Sequence, residues 1–182
     1  ILGSLRDKTD LGVHSGMITD RIAQLMEEGQ ITNRCKEIDN GVTVTGTLFG
    51  TEDGLYRHAD RNPHIRLRSA TYTHATAVIG QLDRFVAVNS AVEVDLTGQI
   101  NTEVAGERYL GAIGGQLDFT LGAMAAAAGR SIVALASTAD KDSTSRIVAR
   151  SKAGIVSIPR GCADCIVTEY GVAELRGQTL SE

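Results

Sequence analysis

Tryptophan is missing from this sequence, aromatic residues make up only 4% of it, and proline occurs twice in 182 residues. A β-sandwich draws heavily on large aromatics for its core, so an all-β fold is disfavoured. Positive charge is scarce too: 18 Lys and Arg against 22 Asp and Glu leave a formal charge of −4, with no dense basic block. Nucleic acid and anionic membrane are therefore not expected partners. No apolar run approaches the roughly 20 residues of a membrane helix, and no basic segment followed by an apolar stretch opens the chain. A soluble, cytoplasmic protein is the expectation.

Cysteine is equally sparse. Cys35, Cys162 and Cys165 are an odd number with a single CxxC pair, which argues against a secreted disulfide framework. "CADC" has no second Cys or Cys/His pair to complete a four-ligand zinc site, so two incidental thiols beside a strand are expected, and no metal.

Twenty glycines, with a core supplied by Val, Ile, Leu and Ala, suggest many strand-to-helix turns. The length admits one domain with a real core. The predicted class is α/β: an open, mostly parallel sheet with helices on both faces.

Along the chain, "MITDRIAQLMEE" (17–28) spaces Ile18, Ile22, Leu25 and Met26 as one face of a helix that Gly29 would stop. "GVTVTGTLFG" and "HIRLRS" read as strands, and a short helix between them breaks at Pro63. From Phe85 to Leu96 the residues alternate: Val86, Val88, Val92, Val94 and Leu96 on one face, Phe85, Ala87, Asn89, Ala91, Glu93 and Asp95 on the other. The second face turns polar only near its end, as for a strand buried at its base and open at its carboxyl end. "TLGAMAAAAGRS" favours a closely packed helix ending at Gly129, and "SIVALAS" a buried parallel strand. "TADKDSTS" reads as a surface loop, "RIVA" and "GIVSI" as a hairpin around "RSKAG", and "CIVTEYGVAELRG" as strand, sharp turn and helix start.

Ligands of parallel sheets bind beyond the carboxyl ends of strands, where turns present backbone amides. Three segments fit that place: "EVDLTG", "GAIGGQLDF" and "TEYGVA". Gly114 and Gly115 precede a helix and allow close approach of a ligand, although their spacing is not the dinucleotide fingerprint. Gln116 and Asp118 are placed to orient that loop, and Tyr170 and Gly171 form a second corner. No Ser, His and Asp triad can be assembled, and the four histidines read as structural or surface residues. A carboxylate needs no general base, because an ordinary glutamate is ionised at neutral pH. From alternation alone, however, Glu93 is more simply an exposed strand acid. Asp95 either repels Glu93 or shapes the following turn, the latter being the commoner habit of Asp.

"VNSAVEVDLTGQIN", followed by "GAIGGQLDF" and "IVTEYGVAELRG", resembles the carboxyl-terminal catalytic domain of the acetyl-CoA hydrolase/transferase family, which includes 4-hydroxybutyrate and butyryl-CoA:acetate CoA-transferases. "LGVHSGMITD", "GTLFGTEDGLY" and "NPHIRLRSATYTH" extend the likeness over nearly the whole chain. The resemblance implies a CoA-transferase domain of the NagB/RpiA-like type spanning residues 1–182, a homo-oligomer, and an upstream domain without which this piece would be inactive. It implies Glu93 as a nucleophile that carries CoA as a thioester. Acyl-CoA and a small carboxylate such as acetate would be substrates, with no cofactor beyond coenzyme A itself. Gly114, Gly115, Gln116, Asp118 and Gly171 would contact substrate or CoA, the two adjacent glycines as oxyanion amides or as contacts to the pantetheine arm. Admission of water would make the enzyme a hydrolase. A non-catalytic CoA- or metabolite-binding module is the alternative from another class.

Overall fold

The computed structural model describes residues 2–139 and 143–180. The chain divides into two compact units, Ile1–Asp83 and Arg84–Glu182.

The first unit is built on three parallel strands, β1 (His14–Ile18), β2 (Thr43–Leu48) and β3 (Ile65–Leu67), in the order β1-β2-β3. Helix α1 (Asp20–Glu27) follows β1 and buries Ile22, Ala23 and Leu25, the face that periodicity predicts. It begins later than the apolar spacing suggests. Met17 and Ile18 pair with Thr47 and Leu48 of β2, so sheet hydrogen bonding claims them before the helix can. Gly29, at φ +84°, ends the turn as expected. Asp20 then organises the next loop, because its carboxylate accepts from the amides of Thr51 and Leu55. Short helices α2 (Arg57–Ala59), α3 (Ala70–Thr73) and α4 (Thr76–Ile79) complete this unit.

The second unit contains β4 (Val86–Asn89), β5 (Glu93–Asp95), β6 (Ile100–Asn101), β7 (Val104–Ala105), β8 (Arg108–Tyr109) and helix α5 (Gln116–Ala125). They are followed by β9 (Arg130–Ala134), β10 (Thr138–Ala139), β11 (Thr144–Ser145), β12 (Ile147–Val148), β13 (Cys165–Thr168) and β14 (Gly171–Glu174). The main sheet has the order β14-β13-β9-β4, with β13, β9 and β4 parallel. "SIVALAS" thus supplies its central strand, as its unbroken apolar run predicts. A second sheet, β12-β5-β6, pairs β5 parallel to β12 and antiparallel to β6. Two ribbons, β7–β8 and β10–β11, are antiparallel. The fold is α/β with mostly parallel pairing, and among the described residues no helix is long and apolar enough to cross a membrane. The expected surface loop "TADKDSTS" supplies parts of β10 and β11 at its ends, and residues 140–142 of it lie outside the described residues.

Three local expectations are corrected. The alternating run from Phe85 to Leu96 is not one strand: β4 joins the main sheet through β9, and β5 joins the small one. Along β4 the buried side is the second face, apolar at its base as expected, and farther on Val94 of the first face is buried too. Ala87 and Ala91 are buried, whereas Val86 and Val88 are exposed, because α5 lies on the alanine side, where Phe119 stacks on Phe85 at 6.3 Å. "RIVA" and "GIVSI" do not pair with each other. The β5–β6 hairpin offers an edge to each: Ile147 and Val148 pair with Val94 and Asp95, and Ile158 bridges Ile100. Finally, "TEYGVA" turns into strand β14 and not a helix. Its antiparallel ladder on β13 is tied down when Glu174 pairs with Arg130.

Ala91, Val94, Ile100, Val133, Leu135, Ile158 and Ile166 form the core beneath both sheets, and Leu117 of α5 packs against it. Burying a side chain such as Ile100 fully is worth about 1.5–3 kcal/mol, so this core fixes where β5 can sit.

Candidate functional site

Val94 points into the core, and the pleat therefore turns Glu93 and Asp95 to the other side of β5. The two acids have different fates.

Asp95 is spent on scaffold. Its Oδ1 accepts from the Thr97 amide at 2.8 Å, the Thr97 hydroxyl at 2.6 Å and the Gln99 amide at 3.1 Å, and Oδ2 accepts from the Ser151 amide at 3.3 Å. Gly98, at φ +84°, closes this turn by donating its amide to the Asp95 carbonyl. Burial opposes the charge on Asp95, but the bonds from Thr97, Gln99 and Ser151 outweigh it and hold the carboxyl below its usual range. Its role is to shape the turn.

Glu93 is held differently. Its Oε1 accepts from the Ser151 hydroxyl at 2.5 Å and from the Asn101 side-chain amide at 3.3 Å. Asn101 sits opposite Glu93 across the β5–β6 ladder and is almost fully buried. Its own Oδ1 accepts from the amides of Glu103 and Val104, and its Nδ2 also donates to the Val104 carbonyl at 2.7 Å. The amide plane of Asn101 is therefore fixed by backbone. Ser151 follows β12 and is pinned by Asp95, so the second acid positions a donor for the first. The carbonyl preceding Glu93 is fixed as well, since Arg146 Nε donates to Val92 O at 2.8 Å and its Nη2 donates to Ala91 O. Glu93 is partly buried, and its Oε2 has no hydrogen-bond partner among the described residues.

Gly114 and Gly115 lead into α5 as expected; Gly114 has φ +58°, and Gly115 is the N-cap. Gln116 and Asp118 lie in the first turn of the helix, and the Gln116 Nε2 is enclosed without a partner among the described residues. Leu117, between them, packs on the core that carries Ala91 and Val94. The helix start and the strand of Glu93 thus share one support. Gly171 stands at the tip of the β13–β14 hairpin. That tip is joined to Glu93 by a chain of bonds: Glu169 accepts from the amide and hydroxyl of Ser137, the Ser137 carbonyl accepts from the Arg146 amide, and Arg146 holds residues 91 and 92. All of this lies beyond the carboxyl ends of β4, β9 and β13. No direct hydrogen bond joins Glu93 to Gly114, Gly115, Gln116, Asp118 or Gly171 among the described residues. Glu169 and Glu174, expected at a helix start, instead cap Ser137 and pair with Arg130.

Sequence reasoning missed Ser151, Asn101 and Arg146. Ser151 lies 58 residues beyond Glu93, in a stretch read as a hairpin turn, and no local pattern marks it. Asn101 was reachable from the hairpin alone, because a turn at Thr97 and Gly98 puts it opposite Glu93.

Cys162 lies in a single helical turn, and Cys165 begins β13 with its thiol pushed up by burial; both are free. Among the described residues no group of three or more His, Cys, Asp or Glu is placed to hold a metal ion.

An acid presented beyond the carboxyl ends of parallel strands, with one oxygen anchored and the other without a hydrogen-bond partner among the described residues, makes this sheet end of an α/β protein the candidate site. Comparison makes the class specific. The chain belongs to the acetyl-CoA hydrolase/transferase family, whose C-terminal domain matches residues 50–182. It is 40% identical over 181 residues to a 4-hydroxybutyrate coenzyme A transferase of Clostridium kluyveri, covering 99% of this chain and 42% of that protein. The crystal structure of a 4-hydroxybutyrate CoA-transferase from Porphyromonas gingivalis superposes with a TM-score of 0.85 at 38% identity, over 99% of this chain and 41% of that one. RipA from Yersinia pestis superposes with a TM-score of 0.87 at 37% identity, over 97% and 38%. The chain therefore spans about two-fifths of the length of these relatives.

Proposed function

We propose that the protein carrying this chain transfers CoA between an acyl-CoA thioester and a small carboxylic acid such as acetate, with Glu93 as the covalent carrier. The observation that carries this reading is the asymmetric seating of Glu93, one oxygen held by Ser151 and Asn101 and the other without a partner among the described residues, in a family that includes CoA transferases. The carboxylate attacks the thioester carbonyl, the C–S bond breaks, and an acyl-glutamyl anhydride forms as CoA leaves as its thiolate. The thiolate then attacks the glutamyl carbonyl, expels the acyl group as its carboxylate and leaves a glutamyl-CoA thioester. An incoming acid takes the CoA by the reverse steps. Remote contacts to the long CoA handle supply binding energy to these additions. The glycines at 114, 115 and 171, with Gln116 and Asp118, are assigned to CoA and substrate on their place at the same sheet end. An upstream domain, a homo-oligomeric assembly and a cytoplasmic setting belong to this proposal.

Intact-mass measurement of the full-length protein after exposure to acyl-CoA is expected to show a CoA-sized adduct that maps to Glu93. An unmodified Glu93 under turnover removes the covalent step. A second reading, acetyl-CoA hydrolysis, is favoured by the family's own description. CoA release at one rate with and without acetate, and no acetyl-CoA formed, would select it.

A further inference from the structure

The covalent cycle just proposed contains two chemically different additions, and each builds charge on a different oxygen. In the first, Glu93 adds to the substrate's thioester carbonyl and the negative charge appears on the substrate. In the second, the CoA thiolate adds to Cδ of Glu93 and the charge appears on a glutamyl oxygen. The two additions therefore call for donors at two different positions, each set by where its own oxyanion develops.

The geometry points to Ser151, assisted by Asn101, as the oxyanion donor pair for the second addition. Oε1 of Glu93 already accepts from both, at 2.5 and 3.3 Å, and no other group bonds it among the described residues. Oε2 is the oxygen without a partner among the described residues, and so it is the atom that bonds to the acyl carbon in the anhydride. Oε1 is then the glutamyl carbonyl oxygen and stays in its cradle. When the thiolate adds, a C–S bond forms at Cδ and the carbonyl electron pair moves onto Oε1. Collapse of this intermediate restores the Cδ–Oε1 double bond, breaks the Cδ–Oε2 bond and releases Oε2 with the acyl group as a free carboxylate. No proton is gained or lost, so two stationary donors suffice.

The supports fit a preorganised role. Ser151 is anchored through its amide to Asp95, and Asn101 through three bonds to backbone, so neither donor has to be reoriented as charge develops. The same pair leaves the attacking oxygen alone. A donor on Oε2 would draw charge from that oxygen and weaken it as the nucleophile of the first addition.

This inference rests on the glutamyl-CoA reading, and its test separates the two. In quenched single-turnover reactions of the full-length protein with acyl-CoA, two quantities are followed: free CoA thiol, which reports the first addition, and the CoA adduct on Glu93, which reports the second. Ser151→Ala is expected to release thiol at close to the parental rate while the adduct forms about 10²-fold more slowly. Ser151→Thr, which keeps a hydroxyl donor, is expected to recover most of the adduct rate, with the urea midpoint of each variant recorded alongside. If both steps slow equally in Ser151→Ala, or if Ser151→Ala forms the adduct at the parental rate, the assignment is wrong while the glutamyl carrier stands. Absence of any adduct in the parent protein removes both.

Discussion

The two units bury polar side chains to opposite ends. In the first, Lys36 is buried and its Nζ donates to the carbonyls of Val13 and Val42 at 3.0 and 2.7 Å. Asn33 accepts from the Val13 amide and donates to Thr43, and the His14 ring bonds the Thr73 carbonyl. The cluster closes on its own scaffold. One atom is left without a partner among the described residues, His14 Nδ1, but it is fully enclosed, and burial holds the ring's pKa below its usual value. In the second unit, Asp95, Asn101 and Ser151 are bonded just as fully, yet their bonds converge on an acid that keeps one oxygen without a partner among the described residues. The lesson is that buried polarity alone does not mark a site. Unused capacity that a ligand can reach does.

The contrast is broken most severely at Glu93. Glu93→Gln in the full-length protein is expected to cut turnover by about 10⁴-fold while moving the urea midpoint little, because Gln can accept the same bonds at one oxygen. Unfolding of this variant would place Glu93 with the scaffold residues. Asp95→Asn is a finer instrument. The amide can keep the turn bonds through its oxygen but then presents an NH₂ to the Ser151 amide, which displaces the donor. A fall in turnover of about 10- to 100-fold is expected, since an ångström of misplacement costs up to about that much. Turnover within twofold of the parent would show that Asp95 serves the turn alone.

The smallest effect belongs to Lys36. Burial, opposed only in part by Asp39, brings its pKa down to about 8 from 10.5. The unfolded chain therefore holds this proton between those values while the folded one sheds it, so stability rises with pH across that window. Between pH 7.5 and 9.5 the gain is expected to be on the order of 1 kcal/mol in urea unfolding, and Lys36→Met should flatten it. A parental profile no steeper than that of the variant would contradict the assignment.

Much of the molecule was legible because it depends on near neighbours. The helix after β1, the β2 and β3 strands and the buried central strand follow from spacing of three to four, of two, or from unbroken apolar runs. Asp95 as a turn acid was also readable, since its turn partners lie two and four residues away. The failures share a cause. Periodicity fixes which residues share a face but not which strand will pair beside them, and the run from Phe85 to Leu96 was divided because β4 pairs with β9 and β5 with β12. "TEYGVA" became a hairpin that pairs back on β13, with Glu174 meeting Arg130, 44 residues earlier in the chain.

The amino-acid order alone determined the α/β class and the family and singled out Glu93 as the candidate acid, because patterning, composition and motif spacing are properties of the linear chain. Only tertiary structure decided which oxygen of that acid is held and which is left unpaired. Hydrogen-bond valence is assigned by distance in space, and Ser151 comes within reach of Glu93 solely because β12 pairs beside β5.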